Sequence, residues 1–237
     1  TYQLVVTPYS LSDPMAPIRS IIETSSADGV ILSRTQQDDP RLRYLQDNDM
    51  PFATHGRTDM GIEHCYFDFD NESYAEQAVE LLKKRGRKRV ILFSPPPILN
   101  YYRHMLSGFE NGLRRFAMFG STDALVNSDS TPAQIRAAAF ALTQRPDRPD
   151  AIICSQTNQA ISVVAGLKEG GLELGRDYDL VAKRATDYTT VTMPEMLTIP
   201  EDFRQAGCEV AKLLIARIDG EDVSRLQKVV SPVPELP

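Results

Sequence analysis

The stretch Tyr66–Pro97, YFDFDNESYAEQAVELLKKRGRKRVILFSPPP, constrains the fold of this chain more than any other. It opens on an alternating apolar/polar run, Tyr66 to Asp70, which reads as the end of a strand. Asn71 is placed to N-cap a helix, with Glu72 near the positive end of the helix dipole. Ala75, Ala78, Val79, Leu81 and Leu82 give that helix an apolar face. Lys83, Lys84 and Arg85 fill its last turn, where cations suit the dipole, and Gly86 suits the C′ position. The run VILFS then reads as a short strand apolar enough to be buried on both faces. The spacing predicts a β-α-β unit whose right-handed crossover implies a parallel sheet covered by helices. Asp70 stands at the carboxyl end of the first strand, where open α/β sheets bind ligands.

With 237 residues, the chain has room for one large or two modest domains. A 42% hydrophobic and 24% charged composition is that of a soluble globular protein. The net charge of −6 argues against non-specific nucleic-acid binding by this chain alone, and leaves room for a separate basic DNA-binding domain. The three cysteines, Cys65, Cys154 and Cys208, are odd in number and have no CxxC spacing, so reduced thiols in a cytoplasmic protein are expected. No apolar run is long enough to span a bilayer, and a signal peptide is not expected. Because TYQLVV already looks like a strand, a fragment of a longer protein is expected.

Strand and helix alternate along the rest of the chain. Strands are expected at Tyr2–Thr7, at VILS after Ala27-Asp28-Gly29, from Pro51, at Ala124–Asn127, at AIICS, at Tyr178–Lys183, at Leu197–Ile199 and at Lys228–Ser231. Helices are expected around Ile18, Ile21 and Ile22, at Pro40–Asn48, at Tyr101–Phe119, from a Thr131 cap to Thr143, at Asn158–Glu169 and at Pro200–Asp219. Pro8–Pro14 and Arg184–Thr192 read as loops. Two α/β halves meeting near Gly86 fit this alternation better than one sheet.

Signatures of common enzymes, GxGxxG, GxxxxGK[ST], HExxH and GxSxG, are missing, so no catalytic residue is assigned. His55, His64 and His104 are scattered, and neither a metal site nor a cofactor is expected. What remains are polar residues at strand ends, among them Ser33, Arg34, His55, Arg57, Asp68, Asp70, Ser94, Ser155, Gln156, Thr157, Lys183 and Arg184. Each alone can be a loop residue or a helix cap; together they describe the lip of a ligand cleft. Arg34, Arg57, Arg103, Lys183 and Arg184 make that lip basic in an acidic protein. Arginine forks match carboxylate and phosphate geometry, so the expected ligand is polyhydroxylated and carries a negative group.

Five segments, ADGVILS (27–33), FDNESYAEQAVELLKKRGRKRVILFSPPP (69–97), RHMLSGFENGL (103–113), PDAIICSQTNQAISVVAGLKEGGLELGRDYDLVAK (149–183) and LTIPEDFRQAGCEVAKLLIARIDG (197–220), follow one another in order. They resemble the effector-binding core of the LacI/GalR family of bacterial transcriptional repressors over nearly the whole chain. The resemblance implies an α/β fold of the periplasmic-binding-protein-like type, with two Rossmann-like subdomains built on parallel sheets. Residues 1–86 with 197–220 would form one and 87–194 with 228–237 the other. It further implies a sugar-like effector bound between the subdomains and allosteric control of a homodimer. That dimer would hold operator DNA through an N-terminal helix-turn-helix domain, expected to lie outside this stretch of residues.

By the resemblance, Asp70 matches an effector-contacting aspartate, while Tyr101 and Arg103 lie in a ligand-facing segment. Met105 stands where the family commonly has an effector arginine. Gln156-Thr157 replaces a common Asn-Asp pair, and Ala182-Lys183-Arg184-Ala185 replaces Gly-Phe-Asp-Asp. The expected ligand contacts are therefore Ser33, His55, Arg57, Asp70, Tyr101, Arg103, Gln156, Lys183 and Arg184. One competing reading is a periplasmic sugar-binding protein of an uptake system. Another is an α/β enzyme, with Asp68 and Asp70 on one side of a strand but no partner base.

Overall fold

The computed structural model describes residues 2–8, 13–123 and 125–233. In chain order the elements are α1 (Ala16–Thr24), β1 (Val30–Ser33), α2 (Pro40–Asp47), β2 (Phe52–His55), β3 (Cys65–Phe69), α3 (Asn71–Lys84), β4 (Arg89–Phe93) and α4 (Asn100–Phe116). They continue with β5 (Phe119–Thr122), α5 (Pro132–Thr143), β6 (Ala151–Cys154), α6 (Thr157–Glu169), β7 (Asp179–Arg184), α7 (Tyr188–Thr192), β8 (Leu197–Pro200), α8 (Phe203–Ile218) and β9 (Gln227–Val230). The chain divides into two compact units, one of residues 1–68 and 204–229, the other of 69–203 and 230–237.

The first unit is built on the sheet β1-β2-β3-β9, in which β1 pairs parallel with β2 and β2 with β3. Ile18 of α1, Leu42 and Leu45 of α2, and Val30, Leu32 and Phe52 of the sheet make its apolar core. The second unit is built on the fully parallel sheet β5-β4-β6-β7-β8. Its strands alternate between two cores. Val90, Leu92, Ala151, Ile153 and Val181 join the core under α3 and α4. Ile91, Phe93, Ile152, Cys154, Leu180 and Ala182 join the core under α5 and α6. This double burial is why VILF and AIIC are unbroken apolar runs. Two glycines permit the helix pairs to meet closely. A Cβ on Gly108 would overlap the Glu72 carbonyl, and one on Gly166 the Arg136 carbonyl.

Parallel α/β architecture in two subdomains is as expected, but several local expectations are corrected. The β3-α3-β4 run is not a crossover within one sheet: β3 lies in the first sheet and β4 in the second. Helix α3 commits its apolar residues Ala75, Ala78, Val79 and Leu82 to the core of β4 and α4, so it joins the second unit. By its contacts the chain divides at residue 68, where the sequence suggests 86. This division also moves 197–203 to the second unit, because β8 pairs with β7, and 228–229 to the first, because β9 pairs beside β3.

Asp70, not Asn71, caps α3, its carboxylate accepting from Ser73 N at 3.0 Å and from Ser73 Oγ at 2.7 Å. Residues 2–7 form no strand; Leu4 and Val6 are 79% and 82% exposed, and an apolar run without a paired neighbour gains nothing from strand propensity. Helix α4 stops at Phe116 because Ala117 turns left-handed (φ 48°), which frees Phe119–Thr122 to pair with β4 as β5. Of the expected strand at 124–127, Ala124 lies outside the described residues, as does part of the Pro8–Pro14 loop. Leu125 and Val126 instead donate their N–H groups to Asp123 Oδ1 in a turn. The expected 184–192 loop contains the short helix α7.

Candidate functional site

Parallel strands put all their carboxyl ends on one edge of a sheet, so each unit has its own polar rim. In the first unit, Ser33 and His55 end β1 and β2 and are register partners. Ser33 is exposed and His55 half-buried. The turn beneath them is held from inside. Arg41 donates from Nη2 to the carbonyls of Ser33 (3.3 Å) and Arg34 (3.1 Å), and from Nε and Nη2 to Asp39 at 2.9 and 2.7 Å. Asp39 also accepts from Gln36 N and Arg41 N, so it caps α2 as well. Thr35 Oγ1 donates to the Arg57 carbonyl at 3.1 Å, joining the turn after β1 to the turn after β2. Arg57 itself lies 3.5 Å from the buried Asp68.

Deeper in this unit, His64 Nε2 lies 3.0 Å from Thr54 Oγ1 and Nδ1 2.9 Å from the Ile62 carbonyl, with the ring stacked on Phe52. Burial holds its pKa below the ordinary 6.5. Its place is structural. Among the described residues no group of three or more His, Cys, Asp or Glu could hold a metal ion.

In the second unit, the strand-end carbonyls are occupied by side chains from helices. Gln159 donates to Ser94 O at 3.3 Å and accepts from both Ser155 N and Ser155 Oγ at 3.0 Å. Tyr74 donates its hydroxyl to Cys154 O (2.7 Å), and Thr157 to Lys183 O (2.6 Å). Ser94 and Ser155 are thus buried framework, not rim. Gln156 is half-buried at the mouth of α6 and its side chain makes no capping hydrogen bond. Tyr101 is half-buried in the first turn of α4, and Arg103 is exposed two residues on.

Lys183 points inward. Its ammonium donates to Asn71 Oδ1 at 2.5 Å and pairs with Glu201 at 3.1 Å, the two charged side chains being 8% and 10% exposed. It also lies 4.8, 5.3 and 5.5 Å from the ring centroids of Phe69, Tyr101 and Tyr74, within cation–π range. Lys183 is expected from the sequence to present its charge to a ligand; here that charge meets Asn71, Glu201 and three aromatic rings. Arg184 pairs with Asp187 at 3.0 Å. Three cations of the expected basic lip, Arg57, Lys183 and Arg184, therefore face carboxylates of the chain, which weakens the argument for a strongly positive site. Asp70 likewise spends both oxygens on Ser73 as a helix cap.

The structure thus brings together Ser33, His55 and Arg57 in one unit, and Tyr101 with the Lys183 cage in the other. Sequence reasoning passed over Asp39, Arg41, Gln159 and Glu201, and read Asn71 only as a helix cap. The available signal was polar residues inside otherwise apolar helix faces, such as Gln159 beside Ala160 and Val163.

Residues 79–236 match the model of a periplasmic binding protein-like domain. The chain is 28% identical over 224 residues to the HTH-type transcriptional regulator AglR of Rhizobium meliloti, covering 92% of this chain and 62% of that protein. A regulatory protein of the LacI family from Chloroflexus aggregans superposes with a TM-score of 0.84 at 22% identity, covering 97% of this chain and 83% of that one. The complex of the transcriptional regulator CelR with cellobiose gives 0.79 at 22% identity, over 93% and 69%. The chain spans about 60% of the length of the first curated relatives it matches, which are named as regulators and not as enzymes.

Proposed function

This chain belongs to the periplasmic binding protein-like domain family, and we propose that it is the ligand-sensing part of a LacI-type transcriptional regulator. The single observation that carries this reading is the pair of strand-end rims. In each unit, exposed or half-buried hydrogen-bonding groups stand on a turn fixed from beneath by buried polar side chains, as a preorganised binding surface requires. Ser33, His55 and Arg57 would serve a ligand from the first unit, and Tyr101, Arg103, Gln156 and Arg184 from the second, with Asp70 and Lys183 supporting them from behind.

The ligand class is a small polyhydroxylated, sugar-like effector. The relative solved with cellobiose supports this class, and so does the mixture of hydroxyl, amide and imidazole groups on the rims. An acidic group on the ligand is the finer reading, and Arg103, exposed on α4, is one cation that would meet it. Binding would favour one of two conformations of the protein and so set the affinity of a homodimer for operator DNA. DNA contact would come from a helix-turn-helix segment, and the protein would act in the cytoplasm. The names of the relatives, HTH-type transcriptional regulators, support the DNA contact.

A thermal-shift screen against cellobiose, other neutral sugars, sugar acids and sugar phosphates tests the proposal. A ligand at a hundred times its Kd stabilises by about 2.7 kcal/mol, a visible rise in melting temperature. Silence across the whole panel at millimolar concentration, from protein that melts cooperatively, would sink the sugar-effector reading. Hits confined to acidic compounds and lost in Arg103→Ala would support the finer one.

A further inference from the structure

The chain passes between its two compact units three times, after Asp68, after Phe203 and after Val229. Lys183 is distant in sequence from all three passages, yet its ammonium reaches two of them. It donates to Asn71, three residues past Asp68, and pairs with Glu201, two residues before Phe203. Asn71 in turn donates Nδ2 to the Phe69 carbonyl at 2.8 Å, so the first passage is bonded on both sides of Asp70. The ring of Phe69 forms one wall of the lysine's cage, with Tyr74 and Tyr101 as the others. A further bond, Asp70 N to Val230 O at 2.9 Å, ties the first passage to the third.

A buried ammonium and a buried carboxylate are each costly unless paired and hydrogen-bonded. Moving Glu201 away would strand both charges where water does not reach, and moving Asn71 away would take a hydrogen bond from the buried ammonium. The two segments are therefore held at a fixed spacing, or released together.

We propose that Lys183 is a clamp on the connecting segments: it locks the 69–71 and 199–203 passages to one another and so limits how freely the two units reorient. Lys183 is then a positioning residue and does not touch the effector. This clamp stands on contacts inside the second unit and holds or fails whatever the ligand proves to be.

Hydrogen exchange and a distance measurement test the clamp. The reporters are the amides of Asp70 and Glu201, which donate to Val230 O and Arg184 O. The variant is the double substitution Lys183→Met with Glu201→Met, which removes both charges and leaves neither stranded; Asn71→Ala is the milder second variant. In both, the two reporter amides should exchange roughly tenfold faster, while Ile91 and Ile152 in the sheet keep their protection. Spin labels on the exposed native Cys208 and on Lys168→Cys, one in each unit, read the second effect. The label-to-label distance distribution should broaden in the variants. Unchanged reporters and an unchanged distribution would overturn the clamp. So would faster exchange spread evenly over the whole second unit, which would mark Lys183 as a core residue only.

Discussion

Arg41 and Asp39 form a two-pronged ion pair inside the first unit, with side chains 3% and 0% exposed. The same guanidinium holds the carbonyls of Ser33 and Arg34, so one buried pair sets the turn that carries the first rim. Removing one partner strands the other, and such a loss costs about 3–5 kcal/mol. Arg41→Met is expected to destabilise the chain by that amount in denaturant unfolding. Replacing both residues by apolar ones, Arg41→Met with Asp39→Leu, should cost less than the single change. A single variant within 1 kcal/mol of the parent would contradict this role.

Gly108 lets α4 lie against the backbone of α3, where a Cβ would overlap the Glu72 carbonyl oxygen. Backbone cannot yield as a flexible side chain does, so Gly108→Ala must push the helices apart. The expected cost is about 1–3 kcal/mol, read as a lower melting temperature. Gly207→Ala, where a Cβ would meet nothing within 4 Å, is the control that should leave stability unchanged or raise it.

The depressed pKa of the buried His64 gives stability a pH dependence of known sign. The unfolded chain takes up a proton near 6.5 while the folded chain resists it, so the unfolded state binds more protons in that window. The stability contributed by His64 is full above pH 6.5 and falls as the pH drops through 6 toward the lowered folded value. Denaturation midpoints measured from pH 7.5 to 5 should fall less steeply in His64→Gln than in the parent. Equal slopes would contradict the assignment.

Much of the second unit was legible because its strands are buried on both faces and read as plain apolar runs, VILF and AIIC. The Thr131-Pro132 helix start was legible for a local reason, a cap that closes within four residues and proves to be a full capping box with Gln134. Where α3 belongs was not legible. A strand-helix-strand pattern looks the same whether the second strand returns to the first sheet or opens another, and only the packing of Ala75, Val79 and Leu82 decides. Residues 2–7 failed for a similar reason, since a strand exists only by pairing. The strand-end positions of the polar residues were legible, but not the contacts their side chains make. Lys183 and Asn71 lie 112 residues apart, and Lys183 and Glu201 belong to different strands' ends, so no local pattern reveals that the charge is spent internally.

The cysteines are distinguished by environment. Cys208 is exposed on α8, whereas Cys65 and Cys154 are buried and burial pushes both thiols above their ordinary pKa. An aromatic disulfide reagent at pH 8 is expected to titrate one thiol rapidly in native protein and three after unfolding. Rapid titration of two or more in the native state would contradict the packing of β3 or β6.

The central claim is that the strand-end rims hold a small sugar-like effector. Its most direct test is calorimetric titration of the strongest compound from the sugar panel into the parent chain, Tyr101→Ala, Gln156→Ala and His55→Ala. Saturable one-site binding is expected in the parent, weakened by about tenfold or more in each variant, corresponding to about 1.4 kcal/mol per lost contact set. Gln156→Ala and His55→Ala should keep the parent's melting temperature without ligand to within a few degrees, while Tyr101→Ala, which also opens the Lys183 cage, should lower it. Binding that survives all three substitutions unchanged, or no saturable binding by any compound in the panel, would contradict the account.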